Sequence, residues 1–120
     1  MQEWERMDHL ASRALQGMLA NPKVDVTELP SDLRNSMVRG ACILAEVLIR
    51  VGRPTKDTTH EVNRRNELAV TMLVGLLTNP NTTIPPENPV AIAAEAYSLA
   101  DEMIQQNPRP DRPGWVVKPN

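Results

Sequence analysis

Leu68–Pro80 reads LAVTMLVGLLTNP, and Leu10–Pro22 reads LASRALQGMLANP. At an offset of 58, seven of the thirteen positions are identical: Leu10/Leu68, Ala11/Ala69, Leu15/Leu73, Gly17/Gly75, Leu19/Leu77, Asn21/Asn79 and Pro22/Pro80. Self-similarity at a fixed spacing takes precedence over other signals, because it decides which architectures are open to the chain. A second match follows at an offset of 55, where Ala41, Leu44, Ala45 and Ile49 reappear as Ala96, Leu99, Ala100 and Ile104, and Glu46 is answered by Asp101. The second copy is therefore three residues shorter in its internal loop.

Each copy reads as helix, loop, helix. Residues 3–20 carry Trp4, Met7, Ala11, Ala14, Leu15, Met18 and Leu19 at steps of three and four, which is one stripe on a helix. Asn21-Pro22 ends that helix, because the residue before proline is driven out of the α region. Ser31 is placed to cap a second helix, with Asp32 in its first turn and an inward stripe of Leu33, Met37, Ala41, Leu44, Ala45, Leu48 and Val51. Gly52 is expected as a left-handed C-terminal cap, with Pro54 beyond it. Thr58 and Glu61 form a capping box for the third helix, which runs to Thr78 with Val62, Leu68, Ala69, Met72, Leu73, Leu76 and Leu77 inward. Asn79-Pro80 stops it. Asn88 then caps a last helix with Pro89 at its first position, and Val90, Ala93, Ala96, Tyr97, Ala100, Met103 and Ile104 face inward to about Gln106.

The expected fold is all-α, with two tandem helix-loop-helix hairpins forming a four-helix arrangement of pseudo-twofold symmetry. Residues 1–52 form the first hairpin, 53–57 a hinge, 58–106 the second hairpin and 107–120 a proline-rich extended tail. The paired mid-helix glycines Gly17 and Gly75 predict close helix approach in both copies, since glycine there is otherwise a cost. Trp115-Val116-Val117 in the tail reads as a docking arm, against a plain chain end.

Composition narrows the function. The 120 residues include no Phe, one Tyr and two Trp, so aliphatic residues and methionine must build the core. Aromatics bury the most area per residue, and a thin core in a chain this short favours self-association. The net charge of −2 makes no case for nucleic-acid or membrane-surface binding. No apolar run reaches the roughly 20 residues that cross a bilayer, and the acidic start MQEWERMDHL does not resemble a secretion signal. A cytoplasmic protein is expected. Cys42, the lone cysteine, sits in a helical apolar pattern and is expected as a buried inert thiol.

Catalytic signals are poor. His60-Glu61 begins like a zinc-protease motif, but Arg64 stands where the second histidine belongs. With two histidines and one cysteine, no Cys–His pair or transition-metal cluster is supported. No glycine-rich phosphate loop is present, and the neighbours Asp101 and Glu102 point in different directions on a helix. The expectation is a protein without catalysis and without a cofactor.

Binding signals are better. Glu67–Gln106 holds five acids and no Lys or Arg, whereas Arg50, Arg53, Lys56, Arg64 and Arg65 gather around the hinge. Helix starts and arginine forks suit anions, so these five, with Trp115 as a stacking contact, are the candidate ligand-binding residues. The alternatives are pairing with nearby acids, head-to-tail contacts between subunits, or ordinary solvated faces.

The repeat unit, L-A-x-x-(A/M)-L-x-G-(M/L)-L-x-N-P, then a polar loop, then A-x-x-L-A-(E/D)-x-(M/L)-I, resembles small helical accessory proteins of bacteriophages and prophages, with AEAYSLADEMIQQ (Ala94–Gln106) the closest piece. Some small oligomeric helical phage proteins are counter-defence sponges that hold a nucleotide messenger of bacterial immunity without cleaving it. The resemblance implies a self-associating, non-enzymatic protein that sequesters an anionic ligand such as a signalling nucleotide. The alternatives are a module that inhibits a host protein, or a minor structural or assembly factor.

Overall fold

The computed structural model describes residues 3–52 and 59–107, with side chains at 4–52 and 64–107. The expected hinge, Thr58 and the tail beyond residue 107 lie outside these residues, and the Glu61 half of the capping box and Val62 lie outside the described side chains. Four helices and no strand are found among the described residues: α1 (Glu3–Leu19), α2 (Ser31–Val51), α3 (Thr59–Thr78) and α4 (Pro89–Gln106).

The helix ends show where local chemistry prevailed. Asn88 caps α4 as expected, its Oδ1 accepting from the Ala91 amide at 3.1 Å, with Pro89 at the first position. Two other ends differ from expectation. Ser31 is already helical, Pro30 precedes α2, and no side chain caps the start. Gly52 is not left-handed, with φ −82° and ψ 0°. A glycine is needed there for room: the Tyr97 hydroxyl occupies the space a Cβ would take.

The helices pack as a closed ring of four. Consecutive helices pair, α1 on α2 and α3 on α4, and the pairs join through α1 on α3 and α2 on α4, while the backbones of the diagonal pairs stay apart among the described residues. Met18, Met37, Leu44, Leu48, Leu73 and Leu77 are the large side chains sealed at the centre, with Ala14, Ala45, Ala69, Ala96 and Ala100 between them. Small residues at these positions let backbones approach, which suits a core without phenylalanine.

α1 and α3 lie parallel and nearly in register. His9 Nε2 is 3.5 Å from Glu67 Oε1, a Cβ on Gly17 would come within 3.0 Å of Leu77 Cβ and of the Val74 carbonyl oxygen, and Asn21 reaches Leu77 and Asn79. A twofold axis would give Gly17 and Gly75 equivalent surroundings. It does not hold: Gly17 is buried at the seam, whereas Gly75 is exposed with nothing within 4 Å of its Cβ position. The two helices meet through different faces of the same sequence pattern.

Several expected inward residues face out: Trp4, Leu19, Val90 and Met103 are exposed. Cys42 is also exposed, where a buried thiol was expected. Conversely Leu10, Val47 and Val70, off the expected stripes, are buried. The stripes are wider than one helix face because each helix touches two neighbours.

Candidate functional site

The sequence directs attention first to the basic cluster near the end of α2 and the start of α3. Arg53 and Lys56 lie outside the described residues, as does Trp115. Arg50 is exposed in the last turn of α2, where a cation complements the carbonyl end of the helix. Arg64 donates from Nη2 to the Asn107 carbonyl at 2.6 Å and so ties the start of α3 to the end of α4.

Arg65 is held on several sides. Its Nε and Nη2 donate to Asp101 Oδ1 and Oδ2 at 2.6 and 3.1 Å, a two-pronged fork on one carboxylate. Nη1 lies 3.4 Å from the Gly52 carbonyl, and the guanidinium carbon sits 4.5 Å from the centre of the Tyr97 ring. The Tyr97 hydroxyl lies 3.2 Å from the Leu48 carbonyl and 2.9 Å from Asn66 Oδ1. Burial pushes the Tyr97 phenol above its ordinary range, against the pull of the Arg65 charge. Leu48, Gly52, Arg65, Asn66, Tyr97 and Asp101 thus form one polar clasp across α2, α3 and α4. An incoming phosphate would have to displace Asp101 from Arg65. The neighbouring cleft on α4, about 310 Å³, is lined by Asp101 and Glu102 with Ser98, Gln105 and Gln106, and these carboxylates repel anions.

Among the described residues, no group of three His, Cys, Asp or Glu side chains is suited to a metal ion. No helix among them is long and apolar enough to cross a membrane.

A second site was not anticipated from the sequence. Between α1 and α2 runs an open groove of about 270 Å³, walled by Leu15, Leu19, Leu29, Met37 and Val38, with Arg34 supplying the charge among the lining residues. Val38 is 45% exposed and Leu19 37% exposed, so water meets apolar carbon on both walls. The lining has no nucleophile and no general base. It suits burial of apolar surface, with one guanidinium available to an acidic or carbonyl group at the rim. A sequence signal was present: Val38 and Cys42 form an i, i+4 pair beside the core stripe of α2, making its apolar arc wider than one neighbour needs.

No protein-family model matches the chain, and neither a curated protein nor a solved structure matches it.

Proposed function

We propose that this protein is a cytoplasmic, non-catalytic binding module that works through protein contacts, receiving an apolar helix surface in the groove between α1 and α2. The observation that carries this is the groove itself: apolar walls open to water at Leu19 and Val38, with Arg34 at the edge. Apolar surface of this kind costs free energy in water, and a partner that covers it recovers about 25 cal/mol per Å². The resemblance of the repeat unit to phage and prophage accessory proteins supports a host protein, or a further copy of the chain, as partner class.

Sequestration of a signalling nucleotide ranks second. Two of its six candidate residues, Arg64 and Arg65, are engaged within the chain, and Arg50 is exposed at the helix end that favours cations over anions.

A photo-crosslinking residue at Val38, with a control at the exposed Glu95 on α4, separates these readings in bacterial cells. Protein adducts at position 38 and none at 95 are expected. Absence of adducts at 38, together with a nucleotide mass retained by the purified protein in native mass spectrometry, would reverse the order.

A further inference from the structure

The internal seam of this protein joins two versions of one pattern, and comparison of matched positions shows what each hairpin leaves uncovered. The first hairpin presents a glycine side, with Leu10, Ala14, Gly17 and Met18 on α1, Asn21 in the turn after it and Leu48 on α2, all buried. It packs on the groove side of the second hairpin, where Leu77 meets Gly17 and Asn21, and the Tyr97 hydroxyl meets the Leu48 carbonyl.

The opposite pair of sides is open. On the groove side, Leu77 is 0% exposed but its counterpart Leu19 is 37%, and Ala93 is 0% but its counterpart Val38 is 45%. Tyr97 is buried while its counterpart Cys42 is exposed. On the glycine side, Leu48 is 1% exposed and its counterpart Met103 is 41%. Gly17 and Asn21 are buried, whereas Gly75 and Asn79 are exposed. The surface left uncovered at one end of the molecule is therefore the counterpart of the surface covered at the seam, and so is the surface at the other end.

We infer that a second copy of this chain docks head to tail, the Gly75 side of one copy seating on the α1–α2 groove of the next, in the manner of the internal seam. This rests on the protein-binding role and names its partner. Three details fit. At Gly17 the nearest atoms of residue 74 are its Cα and carbonyl oxygen, so Gln16, which occupies the matched position, offers the same backbone atoms to Gly75. The Asn79 amide, exposed, takes the place of the Asn21 amide that bonds the end of the neighbouring helix. Within the chain His9 faces Glu67 at 3.5 Å, and in the stack Glu67 of one copy faces His9 of the next. Ser12 replaces the buried Val70, which makes the new contact more polar and weaker than the seam. Such a contact is heterologous: each copy uses two different faces, so one open face of each kind persists, at opposite ends of the stack, until a ring closes.

The test uses the full chain and two variants at exposed positions, Gly75→Gln and Val38→Glu, each checked for native helicity and cooperative melting. Native mass spectrometry and light scattering over a concentration series are expected to show wild-type oligomers, with Cys42 labelling slowing as they form. Each variant alone is expected to be monomeric, with Cys42 labelled at the fast monomer rate. Mixing them restores a one-to-one dimer and no larger species, because the Val38→Glu copy keeps its glycine side and the Gly75→Gln copy keeps its groove. A monomeric wild type, a mixture that stays monomeric, or association blocked by one variant but not the other overturns the proposal. If the chain is monomeric yet position 38 crosslinks to another protein, self-docking falls and the protein-binding role stands.

Discussion

Asn21 donates from its side-chain amide to the Asn79 carbonyl at 2.8 Å, so of two asparagines at matched positions of the repeat the first holds the helix end that carries the second. The same amide donates to the Leu77 carbonyl at 2.8 Å, and Asn21 Oδ1 accepts from the Lys23 amide. Asn79 Oδ1 makes the corresponding turn with the Asn81 amide, but its own residue is exposed. One local motif, written twice, serves a turn in both places and a helix–helix clasp in one.

Asn21→Ala should therefore cost about 2 kcal/mol of unfolding free energy, since it leaves the buried Leu77 carbonyl without its donor and takes one of two donors from the Asn79 carbonyl, which keeps the Thr82 amide, while Asn79→Ala should cost under about 1 kcal/mol. Asn21→Asp keeps the shape but aims a carboxylate at two carbonyl oxygens, and should cost at least as much as alanine. Urea denaturation of the three variants decides the matter. Equal costs at positions 21 and 79 would contradict the asymmetry.

The two glycines should answer alanine with opposite signs. At position 75 the Cβ meets nothing, and removing glycine from a helix interior is expected to stabilise the monomer by about 0.5–1 kcal/mol. At position 17 the Cβ would press on Leu77 and on the α3 backbone at 3.0 Å, so Gly17→Ala should destabilise by about 1–3 kcal/mol. Thermal melts under monomeric conditions provide the comparison, and a stabilising Gly17→Ala would show that α1 and α3 are not held this closely.

Arg65 and Asp101 form an ion pair whose side chains remain 30% and 48% exposed, so its energy is limited by solvent. A double-mutant cycle of Arg65→Met and Asp101→Asn should return a coupling of about 0.5–1 kcal/mol. Arg65→Lys should not restore the wild type, because an ammonium cannot grip both carboxylate oxygens while stacking on Tyr97. Full rescue by lysine would reduce the clasp to a simple charge contact.

Tyr97 carries a pH dependence. Its folded pKa lies above the ordinary value of 10.0 because burial disfavours the phenolate. A phenol raised in this way contributes stability that is fully present below the unfolded pKa and is lost as pH rises through the folded one. Wild-type stability is expected to decline above about pH 10, and Tyr97→Phe should flatten that decline relative to wild type. Parallel pH profiles for the two proteins would place the alkaline transition elsewhere.

Cys42 is exposed, so one thiol per chain should react with a water-soluble disulfide reagent without denaturant when the protein is dilute. Labelling only after unfolding would indicate that the outer face of α2 is covered even in the monomer.

The sequence by itself determined four helices and most of their ends. Periodic apolar positions, Asn-Pro stops and the Asn88-Pro89 start are local signals, and local signals depend on bond geometry and near-neighbour hydrogen bonds alone. It also carried the repeat, and with it the twin turns at Asn21 and Asn79. Only the tertiary structure decided which face of each helix is covered. Leu19 and Leu77, or Gly17 and Gly75, are identical residues in matched settings, yet in each pair one is buried and the other exposed. Burial depends on what a neighbouring helix brings, and among the described residues α1 covers Leu77 while Leu19 stays open. The arginines near the hinge illustrate the same limit. Charge and position marked Arg65 as available for an anion, and packing supplied Asp101 from a helix 36 residues away. The groove at Leu19 and Val38 became visible only once α1 and α2 were placed side by side, because no single helix carries both of its walls.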